Sequence, residues 1–176
     1  MSNPVSERSV VRDAIVAQLQ NAANCPNLAP LSPDGQASSI IGWGQGDLEV
    51  LNDAMVASLG VGVLVDVSSG KELGAQEAMP TLDCPVTVLI TEHVTINRGT
   101  GGSGLPADYI AEQILAALKN WQVPGTNYVI YCVESAETIV NGTPLKNYFS
   151  KDLESAYFTQ IVNLKVRVAV PARTTQ

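Results

Sequence analysis

The longest alternation of apolar and polar positions in the chain lies at residues 83–97. Only Glu92 interrupts its apolar side, which is formed by Val86, Val88, Ile90, Val94 and Ile96. A period of two with many β-branched residues is typical of a half-buried strand. The pattern therefore predicts a strand over the whole of residues 83–97.

A glycine-rich segment and a helix are predicted directly after this strand. The segment at residues 98–104, called the glycine loop below, reads Arg-Gly-Thr-Gly-Gly-Ser-Gly. In residues 106–121 the apolar positions recur at helical spacing, at Ile110, Ile114, Leu115, Leu118 and Trp121. Such a stripe needs a sheet face to cover it, so strand, loop and helix are expected to form the centre of the fold.

The rest of the chain predicts further helices and strands. An N-terminal helix is expected from Ser6 to about Ala23, with an apolar stripe of Val11, Ile15, Leu19 and Ala22, and a short helix after Asp47. Strands are expected at residues 38–41, 61–67, 128–134 and 156–170, with a loop at 24–36 and a tight turn at Asn141-Gly142. Residues 71–82 are interpreted either as the second arm of a hairpin or as an irregular arm.

Together these elements predict a single α+β domain over residues 1–176, with a mostly antiparallel sheet of about four strands and helices packed on one face.

Composition narrows the class of protein. The 176 residues are 45% apolar, which is ordinary for a globular domain. We expect no membrane span and no signal peptide, because no apolar run is long enough and no basic region leads into one. Three cysteines that lie far apart indicate reduced thiols in a product made in the cytoplasm.

The charge balance is acidic and uneven. The chain has 10 basic and 17 acidic residues, a net charge of −7. Residues 25–97 carry nine acids and one base, Lys71, a local charge of −8. A protein that grips DNA normally presents a basic face, so this function is not expected here.

The glycine loop lacks the pattern of a phosphate site. A P-loop needs Gly-Lys-Ser/Thr at the start of its helix, whereas residues 104–108 read Gly-Leu-Pro-Ala-Asp. The spacing of Gly99, Gly101, Gly102 and Gly104 does not fit a Rossmann fingerprint either. We interpret the loop as a flexible connector that becomes ordered against a neighbouring subunit.

No catalytic, cofactor-binding or metal-binding residues are predicted. His93 is the only histidine, and the chain has neither a Gly-x-Ser-x-Gly elbow nor zinc-ligand spacing. We therefore expect His93 to be solvated or to lie in an interface. Asp47, Glu49 and Asp53 fit a helix cap with a solvated face, or a pair of carboxylates that acts as acid and base.

Cys84 and Cys132 are predicted to be core residues because they lie within apolar strands. Trp43 lies between two glycines, outside any strong periodicity. It is interpreted either as part of the core or as an anchor in an interface, where tryptophan is enriched.

Taken in order, these elements resemble the tail terminator and minor tail proteins of long-tailed bacteriophages and prophages. The resemblance rests on the N-terminal helix at residues 10–19, the strand that begins Asp-Cys-Pro-Val-Thr-Val at 83–88, the helix at 106–121 and the closing strand at 163–170. It covers most of the chain in the order and type of elements. Residues 26–45 and 71–82 have no counterpart.

The resemblance implies that the protein is a structural component of a virion. Members of this family form a ring, generally a hexamer, that stops growth of the tail tube and meets the connector on the head side. Six copies would carry −42, and an acidic lumen would repel DNA phosphates and let the genome pass without binding. The candidates for contacts with other subunits or the tube protein are Trp43, Lys71, Arg98, Gly99, Gly101, Gly102 and Gly104.

Two alternatives remain. A head-completion or baseplate connector would share the ring but have a different neighbour. A small enzyme that uses the carboxylates at residues 47–53 would belong to another class altogether.

Overall fold

The computed structural model describes residues 7–43, 58–68, 71–73, 81–124, 138–141 and 157–169. The helices are α1 (Glu7–Gln20), a 3-10 helix (Pro26–Leu31), α2 (Val94–Asn97) and α3 (Ala107–Leu118). The strands are β1 (Ile40–Gly42), β2 (Val61–Val67), β3 (Lys71–Leu73), β4 (Thr81–His93), β5 (Thr138–Asn141) and β6 (Tyr157–Ala169).

The strands form one mixed sheet in the order β1-β2-β4-β6-β5, and β3 pairs with the start of β4. β1 runs parallel to β2, and every other pairing in the described chain is antiparallel. The α+β class is confirmed. The expected number of about four strands is wrong, because the described part of the sheet has six. β1, β3 and β5 are only three or four residues long, too short to produce a clear alternation.

The helices α1 and α3 pack together on one face of this sheet. That face carries the buried valines and isoleucines of β2 and β4, where Val63 lies opposite Ile90. The helices contribute buried side chains at helical spacing: Val11, Ile15, Leu19, Ile110, Ile114 and Leu118. Both predicted apolar stripes are confirmed within the helices, but α3 stops at Leu118 and not at Trp121. Ala22 is exposed beyond the end of α1, and Trp121 is half-buried beyond the end of α3.

The strand predicted over residues 83–97 ends earlier than expected. β4 stops at His93, and Val94–Asn97 form the single helical turn α2. The apolar alternation continues through Val94 and Ile96, so it gave no sign of the change. Both of these side chains are half-buried. At this point the Ile96 N–H donates to the imidazole Nδ1 of His93 (3.3 Å), so His93 caps α2. An alternation of apolar and polar residues does not reveal such a cap.

Part of the predicted loop at residues 24–36 is ordered into the 3-10 helix. Its Leu28 and Leu31 belong to the core and are almost completely buried. Two leucines three residues apart, flanked by prolines, are too short a pattern to predict a helix. The segment nevertheless closes one side of the core.

Some predicted elements lie outside the described residues. These are the helix after Asp47, the strand at residues 128–134 with Cys132, and the second half of the Asn141-Gly142 turn. In the part of the chain that is described, no helix has the length and apolar character needed to cross a membrane.

Replacing Leu31 with alanine tests whether the 3-10 helix is part of the core. Leu31 is fully buried, so L31A should lower the free energy of unfolding by about 2–5 kcal/mol. P30A, one residue earlier and exposed, should change it by less than about 1 kcal/mol. Urea unfolding of both variants measures the difference, and equal effects would contradict a packed Leu31.

Candidate functional site

A buried carboxylate lies where β4 ends and α3 begins. The Glu92 residue is only 4% exposed. Its Oε1 accepts a hydrogen bond from Asn97 Nδ2 (2.8 Å), and its Oε2 accepts one from the backbone N–H of Ala107 (2.9 Å). Ala107 is the first residue of α3, where backbone N–H groups lack partners within the helix and the helix dipole favours negative charge. The helix terminus therefore compensates for burial of the carboxylate.

Asn97 connects this carboxylate to the glycine loop. Its Nδ2 also donates to the carbonyl oxygen of Leu105 (2.8 Å), and its Oδ1 accepts from the Ser103 hydroxyl (2.5 Å). The backbone N–H of Gly104 donates to the Asn97 carbonyl (3.0 Å), while that of Ser103 reaches Leu59 (2.9 Å). The loop is thus tied at its far end to residues that are themselves buried.

Close backbone contacts and positive φ values require glycine at several positions of the glycine loop. A Cβ at Gly102 would overlap the carbonyl oxygens of Ile96 and Asn97, and Gly101 and Gly104 have φ values of 90° and 71° that other residues rarely adopt. This differs from the interpretation of a flexible connector ordered by a neighbouring subunit. Contacts within the chain account for the loop's conformation without any neighbour.

Arg98 projects from the start of the loop. Its side chain is 63% exposed, and its Nε lies 4.0 Å from Glu92 Oε1, at the outer limit of an ion pair. The Arg98 end of this pair is exposed to solvent, whereas the Glu92 end is buried. Most of the Arg98 side chain is accessible to solvent.

Trp43 lies on the surface at the end of β1. It is 43% exposed, and within the described residues it is the only large hydrophobic side chain exposed to this degree. Its backbone is held by the Arg12 guanidinium, which donates to the Trp43 carbonyl and pairs with Asp13 (2.7 Å). This exposure contradicts the interpretation of Trp43 as part of the core, and its role as an anchor in an interface stays a prediction.

The other predicted candidates are Lys71, for an interface, and the three carboxylates at residues 47–53. Lys71 begins β3 opposite Asp83, but its side chain lies outside the described residues. Asp47, Glu49 and Asp53 also lie outside them. Among the residues that are described, no group of three or more His, Cys, Asp or Glu could hold a metal ion.

The expectation that His93 is solvated or in an interface is not met within this subunit, because the residue is only 7% exposed. The ring accepts a hydrogen bond as the N-cap of α2, as described above. One feature of the sequence indicated this region: Glu92 is the single charged residue on the apolar side of the predicted strand. Nothing in the pattern marked Asn97 or Ser103 as its partners.

A cleft of about 200 Å³ lies between residues 24–28 and the outer side of α3. Cys25 lines it, and burial raises the pKa of the Cys25 thiol above its ordinary value of 9.0. Asn27 Nδ2 donates to Gln113 Oε1 (2.8 Å) across the cleft. Cys84 is buried, as the sequence predicted.

No family model matches the chain, and no curated protein matches it significantly.

Replacing Glu92 with glutamine tests the buried carboxylate. The amide has one oxygen for the two donors, Asn97 Nδ2 and the Ala107 N–H, so one donor loses its partner. E92Q should lower the free energy of unfolding by about 1–3 kcal/mol. The matched change D108N, at an exposed acid in the first turn of the same helix, should cost less than about 1 kcal/mol. Thermal or urea unfolding measures the stability of both variants. An E92Q variant as stable as the native chain would contradict the role of these hydrogen bonds.

The raised pKa of Cys25 predicts a loss of stability at high pH. The thiol stays protonated in the folded chain at pH values where the unfolded thiol has ionised, so the unfolded state releases its proton first. The contribution to stability is present at neutral pH and is lost as pH rises above about 9. Comparing urea unfolding of the native chain and C25A from pH 7.5 to 10.5 removes the effects of other groups. The native chain should lose stability relative to C25A, and a constant difference would contradict the prediction.

Proposed function

We propose that this protein is a structural subunit that assembles with copies of itself into a ring, as a tail terminator of a long-tailed phage or prophage. In this role the ring, generally a hexamer, caps the tail tube, meets a connector on the head side and lets DNA pass. The subunit would be a tail-terminator-like α+β domain, made in the host cytoplasm and incorporated into the virion. It would act without catalysis or a cofactor.

The observation that carries the proposal is the exposed Arg98 on a loop whose conformation is fixed by buried contacts. A preformed loop loses little conformational entropy when it docks, so its contacts contribute more to affinity. The arginine projects from a chain with a net charge of −7. An acidic surface on a second copy is therefore a complementary partner for it.

Two further features support a ring. Trp43 offers a large exposed side chain of the type that dominates interface energies. The acidic surplus suits a passage for DNA, because negative walls repel phosphates and keep the genome from adhering. A head-completion or baseplate connector would use the same features with a different neighbour.

Replacing Arg98 with glutamine tests the proposed contact. R98Q removes the charge without placing a second acid beside Glu92, and K119Q makes the same change at an exposed lysine at the end of α3. We expect rings for the native chain and K119Q, alone or on tube ends, in electron micrographs. R98Q should need about tenfold more protein to assemble.

Sedimentation velocity measures that concentration, and thermal unfolding checks that both variants remain folded. A native chain that stays monomeric even with tube protein would refute the ring. Equal assembly of R98Q and K119Q would refute the role of Arg98. Rings that bind a head-side connector or baseplate protein, and not tube ends, would favour the alternative connector role.

A further inference from the structure

An exposed tryptophan and a cleft of matching size lie on different parts of this chain. Trp43 is 43% exposed at the end of β1, and the cleft of about 200 Å³ lies between residues 24–28 and α3. We propose that the Trp43 indole of one copy inserts into this cleft of the next copy. The inference rests on the proposed function, because it names a contact that joins neighbouring subunits of the ring.

Trp43 is presented by a backbone that is held on both sides. Its N–H donates to the Val65 carbonyl (2.8 Å), and its own carbonyl accepts from the Arg12 guanidinium. The Arg12 side chain also packs against Gly42, where it leaves no room for a Cβ. Trp43 is thus tied to β2 and to α1 at once. A side chain on a fixed backbone loses less conformational entropy when it docks, so the indole is suited to anchor a contact.

The cleft has the size and the chemistry to take an indole. A cavity of about 150 Å³ binds benzene, and an indole is a benzene ring fused to a five-membered ring, so a cleft of about 200 Å³ fits it. Pro26, Ala116 and Ala117 supply apolar lining. Asn27 uses its Nδ2 in the bond to Gln113 Oε1 (2.8 Å). Its Oδ1 is therefore an acceptor for the indole N–H, which can only donate.

The indole that fills the cleft must come from another molecule. Gln20, the last residue of α1, donates to the Ile40 carbonyl, whereas Arg12 holds Trp43, so β1 runs back along the helix. The cleft lies beyond the Gln20 end, and the eight residues from Arg12 to Gln20 span about 12 Å. Trp43 therefore cannot reach the cleft of its own chain. Two different patches that fit each other make a head-to-tail contact, the type that closes into rings.

The charges beside the two patches are complementary. Arg12 lies beside Trp43, and Glu112 is an exposed acid one helical turn before Ala116 of the cleft. Docking brings these opposite charges toward each other. The ion pair with Asp13 (2.7 Å) offsets part of the Arg12 charge. Charge therefore helps to orient the contact, and the indole supplies most of its affinity.

The area of this contact suits a ring better than an isolated pair. With 43% of its surface exposed, Trp43 buries only about 100 Å² on docking, whereas a stable pair buries about 800 Å² on each partner. A single contact of this kind is therefore weak. In a closed ring every subunit makes the contact twice, with its indole and with its cleft, and the effective concentration of the last contact rises.

Variants of the two patches test the contact from both sides. W43A removes the indole, and A116F fills the cleft from an exposed position of α3. A17F makes the same change at an exposed alanine of α1 and is the matched control. In sedimentation velocity, alone or with tube protein, W43A and A116F should each need about tenfold more protein than the native chain to assemble. A17F should assemble like the native chain, and thermal unfolding checks that all three are folded.

An NMR titration detects the single contact directly. A116F keeps Trp43 and W43A keeps an open cleft, so one copy of each can form one head-to-tail contact that cannot continue into a ring. The chain has two tryptophans, and nitrogen-15-labelled A116F therefore gives two indole N–H resonances. Unlabelled W43A, added to about 1 mM to detect a weak contact, should shift the Trp43 resonance and leave that of Trp121 in place. The double variant W43A/A116F, which lacks both patches, should shift neither.

The outcomes separate this contact from the ring itself. Native rings together with full assembly of W43A or of A116F would overturn the contact and leave the ring in place. A Trp43 resonance that does not move with W43A, or moves equally with the double variant, would overturn the cleft as the site of the indole. A native chain that stays monomeric with tube protein would refute the ring, and the titration would still decide whether the indole enters the cleft.

Discussion

The fold depends on how one buried negative charge is accommodated. A carboxylate that is taken out of water destabilises a protein by several kcal/mol unless charge or hydrogen bonds compensate for it. Glu92 meets this requirement with the N-terminus of α3 and the amide of Asn97. The chain must therefore leave β4, turn through α2 and the glycine loop, and return so that α3 begins beside the same carboxylate. The path of residues 92–107 follows from that constraint.

This constraint also explains the composition of the glycine loop. The chain reverses within a few residues and packs against its own backbone, so a side chain at Gly60 or Gly102 would occupy space that Asn97 already fills. Positive φ values at Gly101 and Gly104 complete the reversal. A run of glycines is often taken as a sign of flexibility, but close approach between backbones requires the same residue. Only the contacts distinguish the two cases, and here they favour close approach.

The sequence predicted the parts of the fold in which one signal is repeated many times. The apolar stripe of α3 and the alternation of β2 and β6 each repeat over several turns or residue pairs, so α1, α3 and the long strands were found. The buried faces of α1, α3, β2 and β4 agree with those patterns. The end of β4 was missed because Val94 and Ile96 continue the alternation into α2, whose N-cap is the His93 side chain. For the site, Glu92 stood out as a charge on an apolar face. Its partners could not be found, since Asn97 and Ser103 acquire their roles only when the chain folds back.

The hydrogen bonds of Glu92 and Asn97 determine which residues can be substituted to test an interface without disturbing the subunit. Gly99, Gly101, Gly102 and Gly104 lie in or beside the contacts that shape the loop, so changing them disturbs the subunit before it disturbs any neighbour. Loss of assembly after such a change would have two explanations. The Arg98 side chain differs because it is mostly exposed and only weakly paired with Glu92. Its charge can be removed while the buried hydrogen bonds remain, and a change in assembly then reports on the surface that a neighbouring subunit meets.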